Sequence, residues 1–374
     1  MTRAQKFTLG VLVLTACGIW LGLLYFTSQT YQVWTRRPLG PTLAYPTEWQ
    51  LPATWTASPV ATQLTITLAA TLAAETQTPL PPFAACNLAL PTMTVLALGT
   101  DVRPGEHRAG LTDLMRAIRV DFRAQRVTAL EFPRDLWVTI PGIEQNLGTD
   151  HQKLNTAYAY GGVEYGPSLS ARTLYLNFGL NVDHYIVANM TVFSDVVDAL
   201  GGLDITIPPG GIDGRTRTDR SERLVFPEGP QHLNGEQALT LARIRNVSVF
   251  ARAENQNLVM CALRKKVESP ETLLKVPGII NSFLKNIRTD LTPDQISQLA
   301  CLGTRMPRSN IQFASFPLEL FHSAEIYDPV LKQNVFIWDA RFDRLRRYVS
   351  DFQAGTWPPS SEPGAPGAGV SSCE

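Results

Sequence analysis

The sequence predicts an α/β fold, an α-β-α sandwich around a mixed sheet, on three observations. From Pro91 onward, short apolar runs bounded by Gly, Pro or charge alternate with segments of helical spacing. Several of those segments carry recognisable helix starts and stops. The stretches flanking this region have compositions unsuited to a packed core, which leaves one large α/β body in a chain of 374 residues.

Residues 1–6 form a short leader with Arg3 and Lys6, ahead of an uncharged apolar run from Phe7 to Phe26. That run matches the roughly 20 residues needed to span a bilayer. The basic leader favours a single-pass anchor with its N-terminus inside the cell membrane, although Arg36 and Arg37 beyond the run weaken the asymmetry. A cleaved signal peptide and a lipoprotein anchored at Cys17, in Leu14-Thr15-Ala16-Cys17, are the rival readings. The apolar run continues past Cys17, as a span would, and all three readings place the body outside the cytoplasm.

Residues 27–90 are rich in Thr, Pro and Ala and read as a stalk, with one short helix predicted over Thr62–Glu75. Strands are predicted at Thr92–Gly99, Leu114–Phe122 and Arg126–Phe132. A helix over Ser168–Phe178, a strand over Asp183–Asn189 and a helix over Thr191–Leu200 follow, the last stopped by Gly201-Gly202. A short strand at Asp204–Ile207 precedes helices opening at Asn234 and spanning Ala253–Lys266. The main domain is therefore placed at 91–268.

Residues 269–352 read as a small C-terminal α+β extension packed on that domain. It holds helices at Glu271–Lys285 and Pro293–Leu302, strands at Ile311–Phe316 and Val335–Trp338, and a helix near Ala340–Phe352. Thr292-Pro293-Asp294-Gln295 is a helix start with proline in the first turn. Residues 353–374, rich in Pro, Gly, Ala and Ser, read as a disordered tail. Apart from Cys17 there are four cysteines, in a compartment that permits disulfides. Cys261 and Cys301, in neighbouring predicted helices, are the favoured pair, and their spacing does not suit zinc.

Lys plus Arg total 33 and Asp plus Glu total 33, so no bulk charge calls for nucleic acid and any anion site must be local. Asp101 follows a buried-type strand and Asp113 precedes the next, so the two carboxylates could share a hard cation or each cap a turn. Arg134 closes a strand in Phe132-Pro133-Arg134-Asp135, while Arg243, Arg245 and Arg252 cluster downstream. Guanidinium forks match phosphate oxygens, and Lys153 adds a point charge; a surface salt-bridge network is the alternative. There is no Gly-x-Ser-x-Gly elbow, Walker loop or histidine triad.

The run Phe132-Pro133-Arg134-Asp135-Leu136-Trp137-Val138-Thr139-Ile140-Pro141-Gly142, with Lys153-Leu154-Asn155-Thr156-Ala157-Tyr158, Leu98-Gly99-Thr100-Asp101 and Leu239-Thr240-Leu241-Ala242-Arg243-Ile244-Arg245, resembles the LytR-CpsA-Psr family over roughly Met93–Lys266. The resemblance implies a membrane-anchored transferase that moves polyprenyl-pyrophosphate-linked glycopolymers onto peptidoglycan, with membrane lipid as a further partner. It implies that Asp101 and Asp113 bind Mg²⁺, or Mn²⁺ in its place. Arg103, Arg134, Lys153, Arg243, Arg245 and Gln256, with Arg252 beside them, would surround the pyrophosphate, and Arg134, Arg243 and Arg245 would carry catalysis.

Three positions depart from the family pattern: Leu111 and Asn255 stand where arginine is usual, and Val249 near an expected aspartate. Losing one charge-assisted contact to a transferring phosphate costs about 2–4 kcal/mol. A non-catalytic lipid-pyrophosphate binder, and a pyrophosphatase using the same site, are therefore the alternative readings. Asp135 and Asp101 are the candidates for a general base.

Overall fold

Alternation along the first strand decides the layering. The computed structural model describes residues 20, 25, 28, 31–32, 35–43, 91–101, 110–214, 224–244, 249–267, 287–358 and 369–373. The predicted helices at 62–75 and 271–285, most of the apolar run 7–26, and Arg103 and Arg245 lie outside these residues. No described helix is long and apolar enough to cross a membrane.

Strand β1 (Thr92–Thr100) pairs antiparallel with β2 (Thr112–Asp121), which pairs antiparallel with β3 (Arg126–Glu131). A small ladder of β4 (Trp137–Thr139) and β5 (His151–Lys153) leads into α1 (Ala157–Phe178). Strand β6 (His184–Asn189) returns parallel to β1 and runs into α2 (Met190–Ala199). Then come β7 (Leu203–Ile207), β8 (Ile212–Gly214), β9 (Leu224–Phe226) and β10 (Gly229–Leu233). Helices α3 (Gly235–Arg243) and α4 (Val249–Val267) follow.

The remaining elements are β11 (Arg288–Thr289), α5 (Pro293–Arg305), β12 (Ile311–Ser315), the hairpin β13 (Phe321–Asp328) and β14 (Gln333–Ala340), α6 (Phe342–Ala354) and β15 (Gly369–Ser372). The main sheet has seven strands in the order β11-β6-β1-β2-β3-β12-β15. It is mixed, since β6 and β12 run parallel to their inner neighbours and the other pairs are antiparallel.

Leu96 and Leu98 on β1, with Met115, Ala117, Leu130 and Phe132, bury one face against α1 and α6 through Leu174, Phe178, Leu345 and Phe352. Met93 and Val95 point the other way and meet Leu302 and Met306 at the end of α5. Farther along that second face, α2, α3 and α4 close over β7 around Val197, Leu203, Leu241 and Val259. Helices thus cover both faces of the sheet, as expected of a three-layer sandwich.

Helix α1 begins well before Ser168 because the Tyr158–Pro167 stretch hides two helical pieces joined at Gly162, whose φ of 69° and ψ of −175° break the helix. Gly166 lies so close to the Tyr158 carbonyl that a Cβ there would sit 2.7 Å from its oxygen. Those glycines and Pro167 mask the helical period in the sequence.

Three findings revise the reading of the C-terminal third. Strands β11 and β12 belong to the main sheet, so residues 269–352 are woven into the domain rather than packed on it. The tail read as disordered ends in β15, which pairs with β12 from Gln312↔Ser372 to Ser315↔Gly369. Cys261 is joined to Cys373, not to Cys301, which is disulfide-bonded to another partner. Strand β15 sets the buried Cys373 beside Ala129 and Phe313, where Cys261 of α4 packs. The neighbourhood of two helices in sequence does not fix which way their cysteines face.

The bond closes a loop with a sequence separation of 112 residues. Replacing both cysteines with serine (C261S/C373S) is expected to cost about 2–4 kcal/mol in urea unfolding. A non-reducing peptide map of the unaltered protein should recover the Cys261–Cys373 fragment.

Candidate functional site

The register between β1 and β2 breaks where the chemistry collects. Gly99 faces Leu114 and Thr100 faces Thr112, so Asp113 is the extra residue of a bulge. A bulge re-aims a side chain at the end of a ladder, and Asp113 here lines a cavity above the sheet. Asp101 follows directly on β1 and is exposed; its Oδ1 accepts the Leu111 N–H at 2.8 Å, and its own N–H reaches the Leu111 carbonyl. The backbone of Leu111 therefore braces Asp101, whatever its side chain lacks. The two carboxylates thus stand on adjacent strand ends.

After β3, the buried Phe132 and Pro133 turn the chain so that Arg134 comes back over β2. Arg134 is 6% exposed and pairs through Nη1 with Asp113 and through Nε with Asp135 at 3.1 Å. Lys153 Nζ donates to the other oxygen of Asp135 at 3.0 Å. The backbone fixes these groups: the Asn155 N–H donates to the Arg134 carbonyl, and the Leu154 N–H to that of Leu136. Thr112 Oγ1 donates to the Asn155 carbonyl at 3.2 Å, tying this segment to β2.

Burial alone would lower the Arg134 pKa, but the carboxylates of Asp113 and Asp135 outweigh it and hold it above the ordinary arginine value. Burial would likewise raise Asp135, yet Arg134 and Lys153 hold its carboxyl below the usual range. A carboxylate pinned between two cations is a poor proton acceptor, which counts against Asp135 and leaves Asp101 the better placed of the two general-base candidates.

The cavity measures about 240 Å³ and is walled by Ala97, Leu114, Ile186, Phe193, Leu239 and Val259 among others. Asp113, Asn189, Arg243 and Gln256 are its polar lining. Arg243 arrives there because α3 starts in tight contact with α2. Asn234 and Gln237 form a capping box, Asp198 Oδ1 accepts the Gly235 N–H at 2.7 Å, and a Cβ on Gly235 would lie 2.1 Å from the Ser194 carbonyl oxygen. One cavity therefore brings together Asp113, Arg243 and Gln256 of the expected set, and Arg134 and Lys153 join through ion pairs. Arg252 lies in α4, and Val249 is that helix's first residue. Asn255 is buried, and its Nδ2 has no partner among the described residues.

One charged group was not anticipated. Arg116 is 5% exposed on β2 and pairs with Glu131 of β3 at 2.8 Å. Its Nη2 also donates to Gln256 Oε1 at 3.3 Å, and its guanidinium lies over the Phe313 ring. The register places Ile186, Ala97, Arg116 and Glu131 in one row across the sheet, of which Ile186 and Ala97 line the cavity, while Arg116 reaches it through Gln256. By taking the Gln256 oxygen, Arg116 turns the amide nitrogen away from itself, and that nitrogen lies 3.5 Å from the Ala242 carbonyl. The signal was present in sequence: an arginine and a glutamate at inward positions of two apolar strands.

The donors suit a hard cation. Asp101 and Asp113 offer carboxylate oxygens, and no group of three or more His, Cys, Asp or Glu occurs among the described residues. Such a site supplies two protein ligands and leaves the rest of an octahedron to water or phosphate oxygen. An apolar cavity edged by guanidinium, amide and carboxylate is shaped for a molecule with a hydrocarbon tail and an anionic head.

The LytR_cpsA_psr family model matches residues 65–341 of the chain. A protein of Bacillus mycoides (strain KBAB4) named polyisoprenyl-teichoic acid–peptidoglycan teichoic acid transferase TagU is 31% identical over 207 residues, 54% of this chain and 62% of that one. The similarly named TagV of Bacillus subtilis (strain 168) is 27% identical over 201 residues, 53% of this chain and 49% of its own. The chain thus spans less than two thirds of these relatives. The crystal structure of B. subtilis TagV superposes with a TM-score of 0.53 at 22% identity, covering 70% of this chain and 96% of that one. A structure described as TagT bound to LIIa-WTA gives 0.54 at 22% identity, covering 70% and 90%. These two likenesses concern the fold.

Two outcomes test the site's electrostatics. Arg116→Met alone is expected to cost about 3–5 kcal/mol in urea unfolding, because Glu131 is left buried without its partner, and R116M/E131M should recover most of that loss. For Asp135 the lowered folded-state pKa means its stabilisation is fully present above the unfolded carboxylate value. It is lost as pH falls through the folded one. Unfolding curves from pH 7 down to pH 2 should show this acid-side loss in the unaltered protein, and D135N should flatten it.

Proposed function

The chain belongs to the LytR_cpsA_psr family, and on that premise we propose that it is a membrane-anchored, extracytoplasmic phosphotransferase. It moves a polyprenyl-pyrophosphate-linked glycopolymer onto peptidoglycan. The observation that carries this reading is a cavity with apolar walls whose polar lining includes Asp113, Arg243 and Gln256 together, with Arg134 one ion pair away.

In this reading the polyprenyl tail lies against Ala97, Leu114, Ile186 and Phe193, and the pyrophosphate meets Arg134, Arg243 and Gln256. Arg103 and Arg245 are assigned to the same anion by their place in the family pattern, and Arg252 by its nearness to them in sequence. Asp101 and Asp113 hold Mg²⁺, or Mn²⁺ in its place, and the ion supplies charge neutralisation at the phosphate oxygens. Arg134, released from Asp113 when the anion arrives, turns its fork toward the phosphate while Asp135 keeps its Nε oriented. Lys153 adds charge from the far side of Asp135.

An acceptor hydroxyl oxygen on peptidoglycan attacks the sugar-linked phosphorus, a new P–O bond forms as the bond to the bridging oxygen breaks, and polyprenyl monophosphate leaves with that oxygen while the hydroxyl proton passes to water. Such a reaction asks the protein for position and neutralised charge rather than a covalent nucleophile. Asn255 favours a second reading, a lipid-pyrophosphate binder without turnover, since its buried amide stands where the family pattern has a further arginine.

The test uses the full chain in detergent with a radiolabelled polyprenyl-pyrophosphate oligosaccharide, peptidoglycan fragments, and either Mg²⁺ or EDTA. Label should move to the peptidoglycan in Mg²⁺ and not in EDTA, and Arg134→Ala should slow transfer by about 10²–10³. Binding without transfer would establish the second reading; label released as free glycan phosphate would make the protein a pyrophosphatase.

A further inference from the structure

Beside the site, one face of the β13–β14 hairpin carries two rings that the core leaves exposed, Tyr327 and Phe336, next to Trp338, which packs against the core. The pairing sets Ser323 opposite Trp338, Glu325 opposite Phe336 and Tyr327 opposite Asn334. Alternation along each strand puts these six side chains on one face. Tyr327 is 61% and Phe336 41% exposed. The Phe336 ring meets Trp338 edge-on at 5.2 Å, and the indole N–H of the half-buried Trp338 is itself buried, with no partner among the described residues.

The strip leads to the site. The Trp338 backbone N–H donates to the Asp135 carbonyl at 2.9 Å, and Trp338 bridges to Leu136. The hairpin is also held firmly. Buried Asp328 accepts from Gln152 Nε2 of β5 at 3.0 Å and from the turn N–H groups of Val330 and Leu331, and Ile337 is buried on the opposite face.

We propose that this face is a glycan-binding platform that presents a polysaccharide acceptor to the Arg134 site, an inference that rests on the transferase reading. A pyranose ring offers an apolar C–H face and a rim of hydroxyls. Rings interleaved with Ser323, Glu325 and Asn334 meet both. The only charge among the six is acidic, which argues against an anionic lipid surface, where cations are required. The alternation of polar and aromatic groups also breaks up the contiguous apolar core that a second copy of the chain would need.

The experiment titrates the full chain in detergent with two probes, chitotetraose and geranylgeranyl pyrophosphate, by calorimetry. The variant Y327S/F336S, altered at exposed positions, should bind chitotetraose about tenfold more weakly and geranylgeranyl pyrophosphate unchanged, whereas R134A should do the reverse. Wild-type protein that ignores chitotetraose at millimolar concentration overturns the platform. So does a double variant that binds it normally and instead changes oligomeric state in ultracentrifugation or loses contact with phosphatidylcholine bicelles. Failure of the wild type to bind geranylgeranyl pyrophosphate strikes the transferase reading instead, and the chitotetraose arm stands apart from it.

Discussion

The pairing of β1 with β2 is the constraint on which everything else hangs. Through its regular part, Leu96 and Leu98 turn to one helical layer while Val95 and Ala97 turn to the other. At its end, one extra residue swings Asp113 out of the ladder and into the cavity. A one-residue slip would exchange the two faces, bringing Arg116 into the aliphatic core under α1. Register and site are thus one specification.

Charge is placed here with unusual economy. Each buried cation meets a carboxylate from a neighbouring element: Arg134 with Asp113 and Asp135, Arg116 with Glu131. Buried pairs of this kind add little to stability compared with apolar side chains of the same size. Their presence is better understood as orientation. Asp135 spaces two cations at a fixed interval, and Arg116 decides which way a buried amide faces. These pairs hold Arg134 and Gln256 in place beside the cavity before any anion arrives.

The strands and helices through Val267 were largely legible, because alternation and capping there are local. Asn234 with Gln237 and Thr292 with Gln295 form capping boxes where the chain reads as starting a helix. The short ladders β4–β5 and β8–β9 were not, since three residues carry no period. The fate of the C-terminal third escaped for a different reason: β12 and β15 find their places in the sheet through contacts across distant sequence, and composition marked the segment around β15 as tail. In the site, Asp113, Arg134, Lys153, Arg243 and Gln256 were legible through motif. Arg116 was not, because its meaning appears only when Glu131, Gln256 and Phe313 surround it.

The bond between Cys261 and Cys373 bears on the order in which the protein can be completed. Helix α4 supplies Gln256, Val259 and Met260 to the cavity, yet one of its anchors is a cysteine 112 residues farther along the chain, just past β15. Without β15 and that cysteine, β12 is an open edge and the helix lacks its tether. A chain truncated only a few residues short of Cys373 would retain every group that touches the cavity and still lack the means to hold one of its walls.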